Sequence, residues 1–217
     1  MTTLASPMQS YYANRSPEYD NVYLKPERQA DLRAIEQWLP TKCAGARVIE
    51  VACGTGYWTQ FITPVAANVL AIDSSPETLS IAKNRVTANH VVFQTGDAYA
   101  LSLHEVKFDV AFASFWFSHV PIKRQREFLR GLHATLIPGA KVVLLDNRYV
   151  EGSSSPITEQ DEEGNTYQTR TLSNGTTHRV LKNFPAEKEL KERLTGLGTS
   201  VTLTTWQYYW ALEYVAI

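Results

Sequence analysis

Apolar positions recur along this chain in two rhythms. From Lys25 to Leu39 the residues Leu32, Ile35, Trp38 and Leu39 fall at helical spacing, and Pro40 is expected to stop the pattern. Arg47 to Ala52 (RVIEVA) reads as a buried strand running into a glycine turn, followed by a helix over roughly 57–65 with Trp58, Phe61 and Ile62 facing inward. A second strand, Asn68 to Ile72, ends at Asp73. Ser75-Pro76 then predicts a helix start, because serine caps free amides and proline is tolerated at the first helical position. Further strands are expected at Val91–Gln94, Phe108–Ser114 and Lys141–Asp146, the last entered through a Pro138-Gly139 turn. Between the latter two, a helix should run from about Ile122 to Leu136 with Phe128, Leu129, Leu132 and Leu136 inside.

This alternation implies βαβ units and an α/β, Rossmann-like three-layer sandwich. Its sheet should be mainly parallel and seven-stranded, with an antiparallel closing strand and helices on both faces. The rhythm changes after Asn147. Residues 151–165 are rich in serine, glycine and acid and read as a solvated loop, whereas 166–182 alternates around Asn174-Gly175, a hairpin signal. A helix over 185–197 and two closing strands, 199–206 and 208–216, complete the chain. We expect one domain over residues 1–217, with a lid and helix at 1–40 and an insertion with a hairpin at 147–184.

Composition narrows the partners. The 217 residues are 44% hydrophobic and 20% charged, with a formal net charge of -1, which argues against nucleic acid and for a small molecule. Two cysteines, Cys43 and Cys53, suit neither a disulfide framework nor a thiolate metal site, and no metal is expected. The polar stretch Met1–Ser16 has no apolar signal core, and no 18 apolar residues run together. The expectation is a cytoplasmic monomer or homodimer with no membrane partner.

The central chemistry lies in Glu50-Val51-Ala52-Cys53-Gly54-Thr55-Gly56. Glycine after a strand permits positive φ and close approach of a ligand, and the following helix start offers free amides. Asp73, at the end of the next strand, can accept hydrogen bonds from both ribose hydroxyls of an adenosyl group. A dinucleotide fingerprint needs a third small residue, where this chain has Thr59. Glu50 would also repel a pyrophosphate, but it suits a ligand bearing an ammonium and a sulfonium.

Glu50-x-Ala52-x-Gly54-x-Gly56 resembles the first motif of class I S-adenosylmethionine-dependent methyltransferases, with alanine where many members have glycine. The resemblance covers roughly residues 11–146. It implies that Glu50 orients the methionyl amine, that Ala52, Gly54 and Gly56 form the turn beneath the methionyl part, and that Asp73 with Ser74 holds the ribose. By the same resemblance, Asp97 and Ala98 of Gly96-Asp97-Ala98 meet the adenine, and Phe115, Trp116 and His119 line the pocket. The cofactor implied is S-adenosyl-L-methionine. Its sulfonium methyl is taken by in-line displacement, which demands alignment more than acid catalysis; no nucleophile elbow or HExxH spacing occurs.

The acceptor pocket should come from outside the shared core. One source is the segment containing Tyr11, Tyr12, Tyr19 and Tyr23, whose rings attract a sulfonium; the other is the insertion with Tyr167, Arg170 and His178. Tyr12 and His119 are the candidate catalytic residues. Three other readings stay open: cyclisation of S-adenosylmethionine to azetidine-2-carboxylate with release of methylthioadenosine, as in synthases that look like these methyltransferases; a dinucleotide-dependent oxidoreductase; and a non-catalytic binding protein.

Overall fold

The structure, a computed structural model, describes residues 15–101 and 107–217, with the backbone alone at 16 and 17. Seven strands form one sheet in the order β3-β2-β1-β4-β5-β10-β9. These are β1 (Arg47–Val51), β2 (Asn68–Asp73), β3 (Val91–Thr95), β4 (Phe108–Ser114), β5 (Leu136–Asn147), β9 (Gly198–Thr205) and β10 (Tyr209–Ala216). β1 to β5 pair in parallel, and β10 enters antiparallel between β5 and β9. The chain order reverses between β1 and β4, so a crevice opens at their carboxyl ends. That is where α/β sheets of this kind bind ligands.

Alternation along each strand sorts side chains to two faces. Ile49, Val51, Ala111, Ala113, Val142 and Leu144 pack beneath α5 (Gln125–His133) and α6 (Glu187–Leu194). Val48, Val69, Ala71, Val110, Phe112 and Leu145 pack beneath α1 (Gln29–Trp38) and α4 (Pro76–Arg85). Leu32, Ile35 and Leu39 are fully buried, as the helical spacing requires. The Ser75 side chain accepts from the Thr78 amide at 3.2 Å with Pro76 at the first turn, the expected capped start.

Several elements differ from the sequence reading. Pro40 does not stop the helical path: Leu39 keeps helical angles (φ -59°, ψ -43°), and Pro40 begins the short helix α2 (Pro40–Cys43). Proline is tolerated there because a first-turn residue needs no amide donor. The helix expected over 57–65 shortens to α3 (Thr59–Ile62). β5 starts before Pro138-Gly139 and bends at that point, with a register shift against β4 between Phe108 and Val110. In the insertion, β7 (Thr166–Thr171) and β8 (Thr177–Leu181) form the hairpin, with positive φ at Gly175 (+82°) but not at Asn174. The expected solvated loop 151–165 instead supplies β6 (Glu159–Gln160), completing a three-stranded sheet β6-β7-β8. Asp161 folds that loop by accepting hydrogen bonds from the Asn165 amide (2.8 Å) and the Tyr167 hydroxyl (2.9 Å). Cys43 and Cys53 are free and buried. Among the described residues no helix is long and apolar enough to cross a membrane.

Candidate active site

The end of β1 builds one wall of the crevice. Glu50 is in register with Ala71 and Phe112, so its side chain points into the apolar layer under α1 and α4. It is fully buried, and its Oε2 accepts from the Thr59 hydroxyl at 2.6 Å. Oε1 has no hydrogen-bond partner. Burial pushes the carboxyl up to about 8; the Thr59 bond lowers it and the nearby Asp73 charge raises it further. An orphaned carboxylate oxygen at this place fits a ligand ammonium.

Beyond Glu50 the backbone turns through Ala52 (φ +57°), Gly54 (φ +56°) and Gly56 (φ +73°). The two glycines serve different ends. A Cβ on Gly54 would lie 3.0 Å from the Tyr19 hydroxyl, in the space above the turn. A Cβ on Gly56 would lie 3.0 Å from Ala82 Cβ, blocking the seat of α4 against the turn. Ala52 holds a left-handed conformation with a side chain, as does Phe115 (φ +54°) at the end of β4. Strained residues thus stand on both sides of the reversal point.

Asp73 closes the second wall. It accepts from the Gly54 amide at 2.8 Å and the Ser75 amide at 2.9 Å, so it fixes the turn as well as facing the crevice. Burial raises its carboxyl above the ordinary aspartate range, and those amides offset part of the rise. Ser74 beside it is exposed. Asp97 is exposed and accepts from the Tyr99 amide at 2.9 Å, while Ala98 is buried. Trp116 stands edge-on to Tyr99 with ring centres 5.8 Å apart, and both rings pack against Phe128. Gly54 and Asp73 are thus tied by a hydrogen bond, Glu50, Ala52 and Phe115 stand at the ends of the neighbouring strands β1 and β4, and Asp97, Ala98 and Trp116 follow β3 and β4. Gly56 completes the turn and lies against Ala82, and Tyr12 lies outside the described residues.

The 3-10 helix Ser16–Tyr23 lies over the glycine turn. Thr55 donates its hydroxyl to Asp20 at 2.6 Å, Arg85 donates to the Thr55 carbonyl at 2.8 Å, and Arg85 also pairs with Asp20. Tyr23 stacks on Tyr57 at 3.6 Å and borders Trp58 and Phe115. This latch was missed in the sequence because its members are distributed over 65 positions with no shared spacing.

The insertion is fastened to the other side. Lys182, almost fully buried, donates to Asp146 at 2.8 Å and to the Ser118 hydroxyl at 2.6 Å, while Ser118 donates its amide to Asp146 at 2.9 Å. Burial lowers the Lys182 ammonium to about 8, against the pull of Asp146. His119 is buried, with Nδ1 2.5 Å from the Leu181 carbonyl, so that nitrogen carries the proton. Burial first, then the charges of Lys182 and Arg170, hold its pKa well below the ordinary value and keep the ring neutral. Between the N-terminal segment, the ends of β4 and β5, and the hairpin lies a cavity of about 440 Å³ bordered by Tyr19, Phe115, His119 and Asn147. Tyr167 and His178 do not border it; Tyr167 binds Asp161, and His178 lies near Thr176 at 3.0 Å.

The sheet order and the acidic, glycine-hinged crevice at its reversal point define a Rossmann-like methyltransferase fold. The family model described as "Methyltransferase domain" matches residues 48–139. Demethylmenaquinone methyltransferase of Lactiplantibacillus plantarum is 30% identical over 110 residues, covering 48% of this chain and 46% of that protein. Malonyl-[acyl-carrier protein] O-methyltransferase of Serratia marcescens is 25% identical over 174 residues, covering 72% and 65%. The chain thus spans about half to two thirds of the length of these two relatives. Among solved structures, DhpI in complex with SAM and HEP superposes with a TM-score of 0.79 at 27% identity, over 98% of this chain and 99% of that one. Its complex with SAH matches equally, at 28% identity. The chain is thus similar to methyltransferases in sequence over residues 48–139 and in its whole fold, and the DhpI structures it resembles hold SAM and SAH.

Proposed function

We propose that this protein transfers the methyl group of S-adenosylmethionine to a small-molecule acceptor bound in the cavity beside Phe115 and His119. The observation that carries the reading is the unpartnered, buried Oε1 of Glu50 at the root of the Gly54 cradle. In this assignment Glu50 receives the methionyl ammonium, directly or through water, and Asp73 with Ser74 receives the ribose. Ala52 and Gly54 let the chain pass under the methionyl part, while Asp97, Ala98 and Trp116 border the adenine. The bound cofactor supplies an electrophilic methyl on a sulfonium, so the protein's work is placement and exclusion of water rather than proton transfer.

Tyr23 and Tyr57, stacked over the turn, keep water from the crevice. Neutral His119 shapes the acceptor side and, with Tyr12, remains the candidate for removing a proton from an acceptor that needs it. We take residues 1–217 to act as one unit, the segment up to 40 covering the cofactor and the 147–184 insertion covering the acceptor. The likeness to DhpI, whose solved complexes contain SAM and SAH, supports this use of the site.

Cyclisation of the cofactor to azetidine-2-carboxylate would call for a site closed to any acceptor, whereas the cavity of about 440 Å³ gives an acceptor room. Incubating the purified protein with S-adenosylmethionine alone and identifying the products by mass spectrometry separates the two. The methyl-transfer reading expects no turnover without acceptor, and methylthioadenosine above the no-enzyme control would overturn it.

A further inference from the structure

The cavity's charges do not balance. Arg15, Lys25, Arg28, Arg170 and Lys182 all border it, and Glu18 is the lining carboxylate. Lys182 is compensated by Asp146. Glu18 is turned to the Ser173 amide, accepting at 3.1 Å. Lys25, Arg28 and Arg170 donate directly only to neutral groups, and the Glu27 carboxylate reaches the first two through Ser153, accepting from its hydroxyl at 2.7 Å. Lys25 and Arg28 both donate to the Ser153 carbonyl, Arg28 also to the Ser153 hydroxyl at 3.0 Å, and Arg170 donates to the Gln168 side-chain carbonyl at 2.7 Å. Among the described residues, none of the three forms an ion pair with a carboxylate.

A solvated basic face would explain such residues if they were exposed, but Arg28 is only 4% exposed. Its guanidinium lies 5.3 Å and 5.7 Å from the ring centres of Tyr208 and Tyr209. Glu27 offsets part of the Lys25 and Arg28 charge, but a desolvated cation with no direct ion pair is costly, and several bordering one hollow also repel one another. The three arrive from separate places, two from the turn before α1 and one from β7, so no single local motif accounts for them. Arg170 gives Nε–H and one N–H of Nη2 to Gln168, leaving Nη1 and the second N–H of Nη2 for a bidentate partner.

We propose that the acceptor carries an oxyanion group, a carboxylate, phosphonate or phosphate, and that Arg170 together with the Lys25–Arg28 pair holds it in this cavity. The negative charge that the fold omits arrives with the acceptor. This assignment rests on the methyltransferase reading of the neighbouring crevice.

The test is calorimetry on the full chain saturated with S-adenosylhomocysteine, titrated separately with methylphosphonate, acetate and methylammonium. At least one anion should bind, more weakly as potassium chloride is raised, and methylammonium should not. Which anion binds more tightly identifies the oxyanion. Arg170→Met and Lys25→Met should each weaken anion binding by about tenfold or more while leaving S-adenosylhomocysteine affinity unchanged, which also shows that the variants fold. Arg179→Met, which removes the same charge from an exposed pair with Glu159 off the cavity, should change nothing. Binding of S-adenosylhomocysteine with neither anion bound would overturn this inference alone, as would anion binding indifferent to both variants. Failure of S-adenosylhomocysteine itself to bind would overturn the methyltransferase reading and this inference with it.

Discussion

Glu50 lies between Ala71 and Phe112 in an otherwise apolar layer, and that position sets its chemistry. With its carboxyl pushed up to about 8, it is largely protonated in the free protein at pH 7. Pairing with an ammonium requires the charged form, so binding of S-adenosylmethionine at pH 7 should release about one proton. Calorimetry in buffers of different ionisation enthalpy reads this directly, and Glu50→Gln should abolish the release while weakening binding by about tenfold or more. A second consequence concerns stability. The folded state holds this proton more tightly than the unfolded chain, so the contribution is full below about pH 4.5 and is lost as pH rises towards about 8. Urea melts of the cofactor-free protein should show wild type losing ground to Glu50→Gln over that window. At Ala52 the left-handed φ carries a steric cost that glycine avoids, so Ala52→Gly should stabilise the protein by up to about 1 kcal/mol, seen as a higher urea midpoint. These residues were legible in the sequence because strand, turn and acids follow one another within a short stretch. The loss of Oε1's partner was not, since it depends on what β2 and β4 place beside Glu50.

Elements were legible where burial repeats with a period, and less so where tertiary contacts decide. β1, β2 and β4 fall within a residue of their expected bounds. The helix expected over 57–65 is shortened to Thr59–Ile62, with Tyr57 and Trp58 at its start engaged in aromatic contacts with Tyr23. The same contacts, with the Asp20–Thr55–Arg85 latch, hold the N-terminal segment over the turn. Arg85→Met should therefore lower global stability by only about 1 kcal/mol, since the Asp20–Arg85 pair is partly exposed. Hydrogen exchange should nevertheless show residues 16–23 losing protection, with weaker cofactor binding. The insertion depends on a buried pair instead. Lys182→Met strands Asp146 in the core and should cost about 3–5 kcal/mol, whereas the double change with Asp146→Asn should recover much of it in urea denaturation. Lys182 follows Val180 and Leu181 in a strand, and nothing in that pattern names a carboxylate 36 residues earlier as its partner.

At the scale of the whole molecule, the sheet order brings the ends of β1, β2 and β4 to one crevice. The two covering segments, one from each side of the shared core, then make a second compartment next to it. In the proposed assignment the first compartment presents acids to a cofactor that carries an ammonium and a sulfonium, and the second presents cations to the acceptor. Under that assignment, opposite charge preferences in adjoining sites would keep cofactor and acceptor from exchanging places, a specificity that neither compartment has alone. This second compartment was the part least visible in the sequence, because Arg28, Ser153 and Arg170 come to one cavity only through folding. The central claim is methyl transfer, and its most direct test uses S-adenosylmethionine bearing a trideuterated methyl group. The purified protein is incubated with this cofactor and a low-molecular-mass metabolite extract, and the products are followed by mass spectrometry. The account predicts S-adenosylhomocysteine formed only when extract is present, together with an acceptor that has gained the intact CD3 group. Cofactor consumed to methylthioadenosine, or no CD3-labelled product while S-adenosylhomocysteine binds normally, would contradict it.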